Sequence, residues 1–469
     1  MKLKLLLTLL TATCFINQLA AQDLPSKTVW EGKIENIRIF LRISKDSLKN
    51  QYVAVFDSPD QGAMGLKVSE LKVTNDSVTA FSAQIGGGFY GAFKSGRTEL
   101  VGEWKQGGAL PLVLKRVEKE VEIKRPQMPK APFPYKEEKV IYYNTDKSIQ
   151  YGATLTLPDT NKQVPAVILI TGSGQQDRDE TLFGHKPFWV IADYLSRNGI
   201  AVLRVDDRGV GETTGEVMNA TSWDFAGDVL VGMEFLKAHQ GIDSKKIGLI
   251  GHSEGGIIGP MAAVQSKDVA FIVSLAGVGI KGRELMAMQL KSNYEQLGLN
   301  TEEVSRFDSL LNMLFDLSAT YSDNEELKPI FAKKMKEWLN SQPEPFLAKL
   351  GYTGPQAYNN IDEFAARFFL PWMRSFLKYD PATTLTKIKI PVLALNGEKD
   401  VQVSAQENLS GFKTLLTKAG NKNFKVIAMP GLNHLFQHAK TGQVSEYVTI
   451  EETISPEVLN IMKNWIKSL

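Results

Sequence analysis

Five apolar runs recur along the C-terminal two-thirds of the chain, and each ends in Gly, Ser or Asp. They are "VPAVILITG" (164–172), "IAVLRVDDRG" (200–209), "KIGLIGHS" (246–253), "VAFIVSLAG" (269–277) and "IPVLALNGEKD" (390–400). Runs that are apolar throughout, not only at alternate positions, fit strands buried on both faces of a parallel sheet. Helical patterns such as "WDFAGDVLVGMEFLKAHQG" (223–241) separate them. Strands alternating with helices imply an α/β doubly wound sheet. Ligands of such sheets bind beyond the carboxyl ends of the strands. The polar residues that close these runs are therefore the site candidates.

One interval breaks the alternation. About 110 residues separate "SLAG" from "IPVLALNGEKD", and they read as helices, among them "TEEVSRFDSLLNMLFDLSA" and "IDEFAARFFLPWMRSFL". A structureless loop of that length is uncommon, so residues 281–379 are expected to form a helical cap above the strand ends. Upstream, residues 22–118 carry short β-rich runs ("IRIFLRI", "QYVAVFD", "LPLVLKRV") between turn signals, the pattern of a small all-β sandwich or barrel. Residues 119–136 include "KRPQMPKAPFPYK", whose four prolines exclude a helix or central strand. This stretch is expected to be an extended linker, with the catalytic domain at 137–469.

The first residues, "MKLKLLLTLLTATCFINQLAAQ", have a basic start (Lys2, Lys4), an apolar stretch from Leu5 to Ile16 and a small-residue end at Ala20 and Ala21. This is a secretory signal-peptide pattern over 1–21, although Leu19 departs from the small-x-small rule. It predicts export to the periplasm or beyond. The single cysteine, Cys14, lies inside it, so the mature chain would lack disulfide and thiol chemistry. No later segment is apolar enough to insert in a membrane. With 43% hydrophobic residues and a net charge of +2, the chain has globular composition and no electrostatic footprint for nucleic acid. No histidine pair or cysteine cluster has metal spacing, and "GVGIKG" is not a phosphate loop, so neither metal nor cofactor is expected.

The third apolar run continues as "GLIGHSEGG", which satisfies G-x-S-x-G around Ser253. Set between a strand and a helix, this motif forces the serine into a strained turn and exposes its hydroxyl at the positive end of the helix. Serine is a weak nucleophile and needs a base. Of the five histidines, 185, 239, 252, 434 and 438, His434 follows the last apolar run in "FKVIAMPGLNHLFQ", where a base in the order Ser–acid–His belongs. His252 adjoins the nucleophile and should point aside. The acid closes "VLALNGEKD": Asp400 is preferred and Glu398 is the alternative. Oxyanion donors would be the Glu254 backbone N–H and an N–H from the turn after "AVILITGSG", either Ser173 or Gly174. "DDRGVGET" and "QQDRDE" are read as ion-paired structural turns.

Taken together, "GHSEGG", "DDRGVGET", "LNGEKDVQV" and "GLNHLFQ" resemble bacterial serine carboxylesterases of the α/β-hydrolase fold, close to the serine aminopeptidase-like group. The resemblance covers about 137–469 and assigns the family roles to Ser253, Asp400 and His434. It also implies a cap at the observed insertion, and a β-rich leading domain as in secreted hydrolases of the Bacteroidetes type. Thr171 stands where many relatives have the histidine of His-Gly. The implied substrate is a small ester or short acyl compound, with Trp372, Phe368, Phe369 and Phe376 as pocket or cap-core residues. The alternative is a peptidase using the same triad, for which Glu180, Arg178 or Arg374 could anchor a charged terminus. A binding module with an inert hydrolase core is disfavoured by the intact nucleophile, acid and base.

Overall fold

β-Branched and aromatic residues at alternate positions build the N-terminal unit. Its strands are β1 (Lys27–Ile34), β2 (Ile37–Asp46), β3 (Gln51–Ser58), β4 (Ala63–Lys67), β5 (Glu70–Val73), β6 (Ser77–Ser82), β7 (Gly87–Lys94), β8 (Glu99–Lys105) and β9 (Ala109–Arg116). They form one sheet in the order 4-3-2-1-9-8-7-6-5. The Val68 N–H bonds Ala54 of β3 and the Ser69 N–H bonds Phe81 of β6, so the two ends of the sheet meet. The curled sheet encloses Trp30, Leu41, Phe56, Phe89, Leu100 and Leu114. This computed structural model describes residues 24–469, except 35–36, 47–50, 59–62, 84, 107, 118–123, 297 and 355–356. The expected signal peptide and Cys14 lie outside the described residues.

Val121–Leu469 belong to a second compact unit. Its proline-rich start is held against this unit at Arg125 and Gln127. Prolines supply no N–H donors, and side chains make the attachments instead. Arg125 donates to the carbonyls of Phe183, Val448 and Ile450, and Gln127 bonds the backbone of Thr453 and Ile454.

The second sheet comprises β10 (Tyr135–Tyr143), β11 (Gln150–Pro158), β12 (Val164–Ile170), β13 (Ala201–Val205), β14 (Ile242–His252), β15 (Ile272–Leu275), β16 (Val392–Gly397) and β17 (Phe424–Met429). Their spatial order is 10-11-13-12-14-15-16-17. β11 runs antiparallel to both neighbours, and from β13 onward all pairings are parallel. Alternation sends successive side chains to opposite faces. In β12, Ile168 and Ile170 join one core, while Val167 and Leu169 join the other. α1 (Pro187–Arg197) covers the second face. α2 (Ser222–Ala238) and α3 (Gly255–Gln265) cover the first. The chain leaves β12 toward β13 on one side and places β14 on the other, so the switch point of the sheet lies beside β12.

Between β15 and β16 the chain forms α4 (Gly282–Gln296), α5 (Thr301–Thr320), α6 (Asn324–Asn340), α7 (Glu344–Lys349), α8 (Ala357–Ala366) and α9 (Pro371–Leu377). α5 starts at a reciprocal cap: Asn300 Oδ1 accepts the Glu303 N–H at 3.0 Å, and Glu303 accepts the Asn300 N–H at 2.8 Å. The insertion has its own core, in which Phe307, Leu314, Phe315, Phe331 and Phe368 meet. α10 (Ala382–Leu385), α11 (Ala405–Lys418), α12 (Val444–Tyr447) and α13 (Pro456–Lys467) complete the unit. No helix among the described residues is long and apolar enough to cross a membrane.

Candidate active site

β14 turns into α3 within two residues, and Ser253 takes the strain. Its φ is +53°, a left-handed conformation rare for residues other than glycine. The Ser253 N–H bonds the Leu275 carbonyl at 2.8 Å, and its own carbonyl accepts the Gly256 N–H at 2.9 Å. The flanking glycines are dictated by contact distance. A Cβ on Gly251 would stand 1.9 Å from the Gly255 oxygen, and one on Gly255 would stand 2.2 Å from the Ile170 oxygen. The corner is thus pressed against the end of β12, and the turn after β12 passes over it.

Asp400 lies in the turn after β16, and His434 in the loop after β17. His434 Nδ1 is 2.7 Å from Asp400 Oδ2, and both side chains are buried. Asp400 Oδ1 accepts the Gln402 and Val403 N–H groups at 2.8 Å each. A carboxylate held this way fixes the proton on Nδ1 and leaves the Nε2 lone pair free to act as a base. Asn433 shapes the loop, its Oδ1 accepting the N–H groups of Leu435 and Gln437. Glu398 is exposed in the same turn as Asp400. His438 is exposed and pairs with Glu452, and His239 pairs with Glu138. His185 is fully buried between Thr453 and the Tyr447 carbonyl, and burial, aided by the Arg125 charge, pushes its pKa down to about 4. Ser253 Oγ has no hydrogen-bond partner among the described residues; a serine–histidine bond of this kind often tightens only when substrate is bound.

The turn after β12 carries the other oxyanion candidates. A Cβ on Gly172 would lie 3.2 Å from Ser253 Cβ, which puts this turn beside the serine. The Gly172 N–H is engaged, donating to Glu180 Oε1 at 2.9 Å. Ser173 and Gly174 follow, Gly174 with φ +92°. Thr171, at the position of the missing histidine, donates to Asp207 Oδ1 at 2.8 Å, and the Gln176 N–H donates to Asp207 Oδ2 at 2.9 Å.

Two interactions had no sequence signal. His252 points away from the serine as expected, but onto a buried carboxylate: its Nδ1 is 2.8 Å from Glu180 Oε1, and its Nε2 is 3.1 Å from the His434 carbonyl. The Glu254 side chain, in the turn that starts α3, faces inward. It is buried, and its Oε1 accepts from Ser222 Oγ at 2.6 Å and from Trp372 Nε1 of the cap at 2.7 Å. Trp372 also stacks on Phe376, whereas Phe368 is enclosed within the cap core and Phe369 packs edge-on against Phe331.

A cavity of about 80 Å³ adjoins the turn, lined in part by Gly172, Gly174, Asp207, Phe225, Glu254 and Ile258. Burial raises the Asp207 pKa to about 7, against the pull of its hydrogen bonds from Thr171 and Gln176. Burial also raises that of Glu254, against the bonds from Ser222 and Trp372. The "DDRG" and "QQDRDE" turns interlock: Arg178 pairs with Asp206 and Glu212, and Arg208 with Asp228. Each side chain named as a peptidase anchor is engaged inside the protein, Arg178 in these pairs, Glu180 with His252, and Arg374 with Asn324. No group of His, Cys, Asp and Glu among the described residues could hold a metal ion.

The chain matches the α/β hydrolase fold family over residues 165–438. It is 28% identical over 281 residues to the esterase EstD of Thermotoga maritima, a match covering 60% of this chain and 57% of that protein. Among solved structures it is similar to the esterase Pf2001 of Pyrococcus furiosus, at 16% identity and a TM-score of 0.44, over 74% of this chain and 97% of that one. It is also similar to Est1E of Butyrivibrio proteoclasticus, solved with ferulic acid bound, at 16% identity and a TM-score of 0.38, over 70% of this chain and 96% of that one.

Proposed function

The chain belongs to the α/β hydrolase family, and from that premise we propose that it is an exported serine esterase that cleaves small carboxylic esters through an acyl-enzyme on Ser253. The observation that carries the proposal is the buried His434–Asp400 pair, bonded through Nδ1 at 2.7 Å in a loop that His252 ties to the serine corner. In this reading Ser253 Oγ attacks the ester carbonyl while His434 Nε2 takes its proton. Asp400 stabilises the imidazolium without itself becoming protonated. The oxyanion is received by the Glu254 N–H and by an N–H of Ser173 or Gly174. His434 returns the proton to the departing alkoxide. Water then attacks the acyl-enzyme by the same route in reverse, and Ser253 is released.

The cavity beside the oxyanion turn supports short acyl groups. Its volume is about 80 Å³, and its lining includes Gly172, Gly174 and Glu254 beside the serine corner but not Ser253 or His434, so it would hold the end of a short acyl group rather than the reacting atoms. A peptidase reading would need a free charged group to grip a terminus, and its three candidates already have partners. The likeness to EstD, an esterase by name, favours the same choice.

The test is a series of p-nitrophenyl esters from acetyl to palmitoyl, set beside an ester and an anilide sharing one acyl group, each referenced to its uncatalysed hydrolysis. kcat/KM is expected to peak at short acyl lengths, with the larger acceleration on the ester. A larger acceleration on the anilide would overturn the esterase reading in favour of the peptidase.

A further inference from the structure

Glu180 and His252 stand 72 residues apart in the chain, and both are buried. Three hydrogen bonds converge on them. His252 Nδ1 is 2.8 Å from Glu180 Oε1, the Gly172 N–H reaches that same oxygen at 2.9 Å, and His252 Nε2 is 3.1 Å from the His434 carbonyl oxygen. A backbone carbonyl can only accept, so Nε2 carries a hydrogen. A carboxylate oxygen that already draws in a backbone N–H is the natural acceptor for a second donor, so Nδ1 carries one as well. Two acceptors at two ring nitrogens make His252 an imidazolium and Glu180 its counter-ion.

The surroundings leave the pair little other support. Pro187, Phe188, Ile191, Leu275, Phe436 and Ile454 line the gap beside it. The titratable groups near His252 besides Glu180 are His434, its ring centroid 4.8 Å away, and Asp400, whose charge also favours the imidazolium. Near Glu180 stands Asp207, whose ionisation its charge opposes. A buried ion pair that loses one member leaves an uncompensated charge, which is strongly unfavourable.

The three bonds join three separate segments of the site: the turn after β12, the serine corner and the loop bearing His434. We propose that Glu180 and His252 are positioning residues for the reaction assigned to Ser253: protonated His252 holds the His434 loop against the corner through the His434 carbonyl, and Glu180 holds the oxyanion turn through the Gly172 N–H. The proposal rests on the serine esterase reading. Neither residue touches substrate.

A pH dependence follows. If His252 loses the Nε2 proton, two lone pairs face each other across 3.1 Å and the His434 loop is released. Burial by itself would lower the His252 pKa, but the charge and hydrogen bond of Glu180, together with the His434 carbonyl and the Asp400 charge, offset this, and the pKa is raised. The competent form is the protonated one, so activity falls as pH rises through the His252 pKa.

The experiment combines ¹⁵N-histidine NMR on the full chain with pH–rate profiles. Its five histidines are assigned by single His→Gln substitutions. At pH 6.5, the ordinary histidine value, His252 is expected to have both ring nitrogens mainly protonated in the wild type and to become mainly neutral in Glu180→Gln. That variant should lose about tenfold or more in kcat, equivalent to about 1.4 kcal/mol in barrier, with KM within about threefold, and its alkaline limb should move to lower pH. Glu180→Asp, which keeps the charge, should recover part of the loss. A neutral His252 in the wild type at pH 6.5, or a Glu180→Gln variant with unchanged kcat and limb, overturns the proposal. The NMR result is independent of turnover. A doubly protonated His252 in a protein whose Ser253 takes no phosphonate label would therefore sink the esterase reading and not the ion pair.

Discussion

Replacing Ser253 with Ala removes one oxygen and no packing, so its effects should separate cleanly. Ester turnover and organophosphonate labelling are expected to vanish while the melting temperature holds; labelling at another serine would refute the assignment. Asp400→Asn should lower kcat by about 10⁴, because the amide no longer fixes the Nδ1 proton of His434. Glu398→Gln, at an exposed position, should change kcat less than about threefold, and the opposite ranking would move the acid to Glu398. Asp207 offers a test by pH. Its pKa is raised in the folded protein to about 7 from 3.8, so the folded state holds a proton that the unfolded chain releases. The resulting stability is complete below about pH 4 and is lost as pH rises through 7, on the order of 4 kcal/mol at most. Melting curves from pH 4 to 8 should therefore decline less steeply in Asp207→Asn than in the wild type; equal slopes would count against a raised pKa. At this scale Ser253, Asp400 and His434 could be singled out from sequence because each lies in a short local pattern at the end of an apolar run. Their assembly could not be read that way, and neither could the pairing of Glu180 with His252, since nothing local links a histidine to a carboxylate 72 residues away.

The α3 helix contains its own control for the elbow. A Cβ on Gly255 would meet the Ile170 oxygen at 2.2 Å, but one on Gly259, a turn later, finds nothing nearer than 3.7 Å. Gly255→Ala is expected to cost several kcal/mol or prevent soluble expression, whereas Gly259→Ala should be neutral or stabilising by about 0.5–1 kcal/mol. Equal melting temperatures for the two variants would show that the corner tolerates more room than its contacts allow. In the cap, Trp372→Phe keeps an aromatic ring to stack on Phe376 and removes the donor to Glu254. It should alter the ranking of acyl lengths in the ester series. An unchanged ranking would mean that this contact does not shape the site. Strands and cap helices show in the sequence because their periods differ, but the order of strands does not. An apolar run reports that a strand is buried, not which neighbours it has, and the placement of β13 between β11 and β12 is written in no single segment. The burial of the Glu254 side chain is hidden from sequence for a related reason, since its partner Trp372 arrives from the cap, 118 residues later.

Over the whole molecule, each unit closes its own core, the N-terminal one around Trp30 and Phe89 and the second around both faces of its sheet. Residues 121–469 expressed alone are therefore expected to fold and to hydrolyse p-nitrophenyl acetate with kcat/KM within a few-fold of the full chain. An insoluble or inactive product would show that the first unit is needed for the second. The sheet also sets the order of events during synthesis. β15 contributes four buried residues, Ile272–Leu275, and is flanked in the finished sheet by β14 and β16. β16 is made more than a hundred residues later, after the entire cap. Throughout that interval the nascent chain presents an apolar strand edge with half its hydrogen-bonding groups unpaired, a template for any other extended segment nearby. The nucleophile corner, which bonds β15 through the Leu275 carbonyl, is thus translated early and locked late. The vulnerable period of this protein is its own translation.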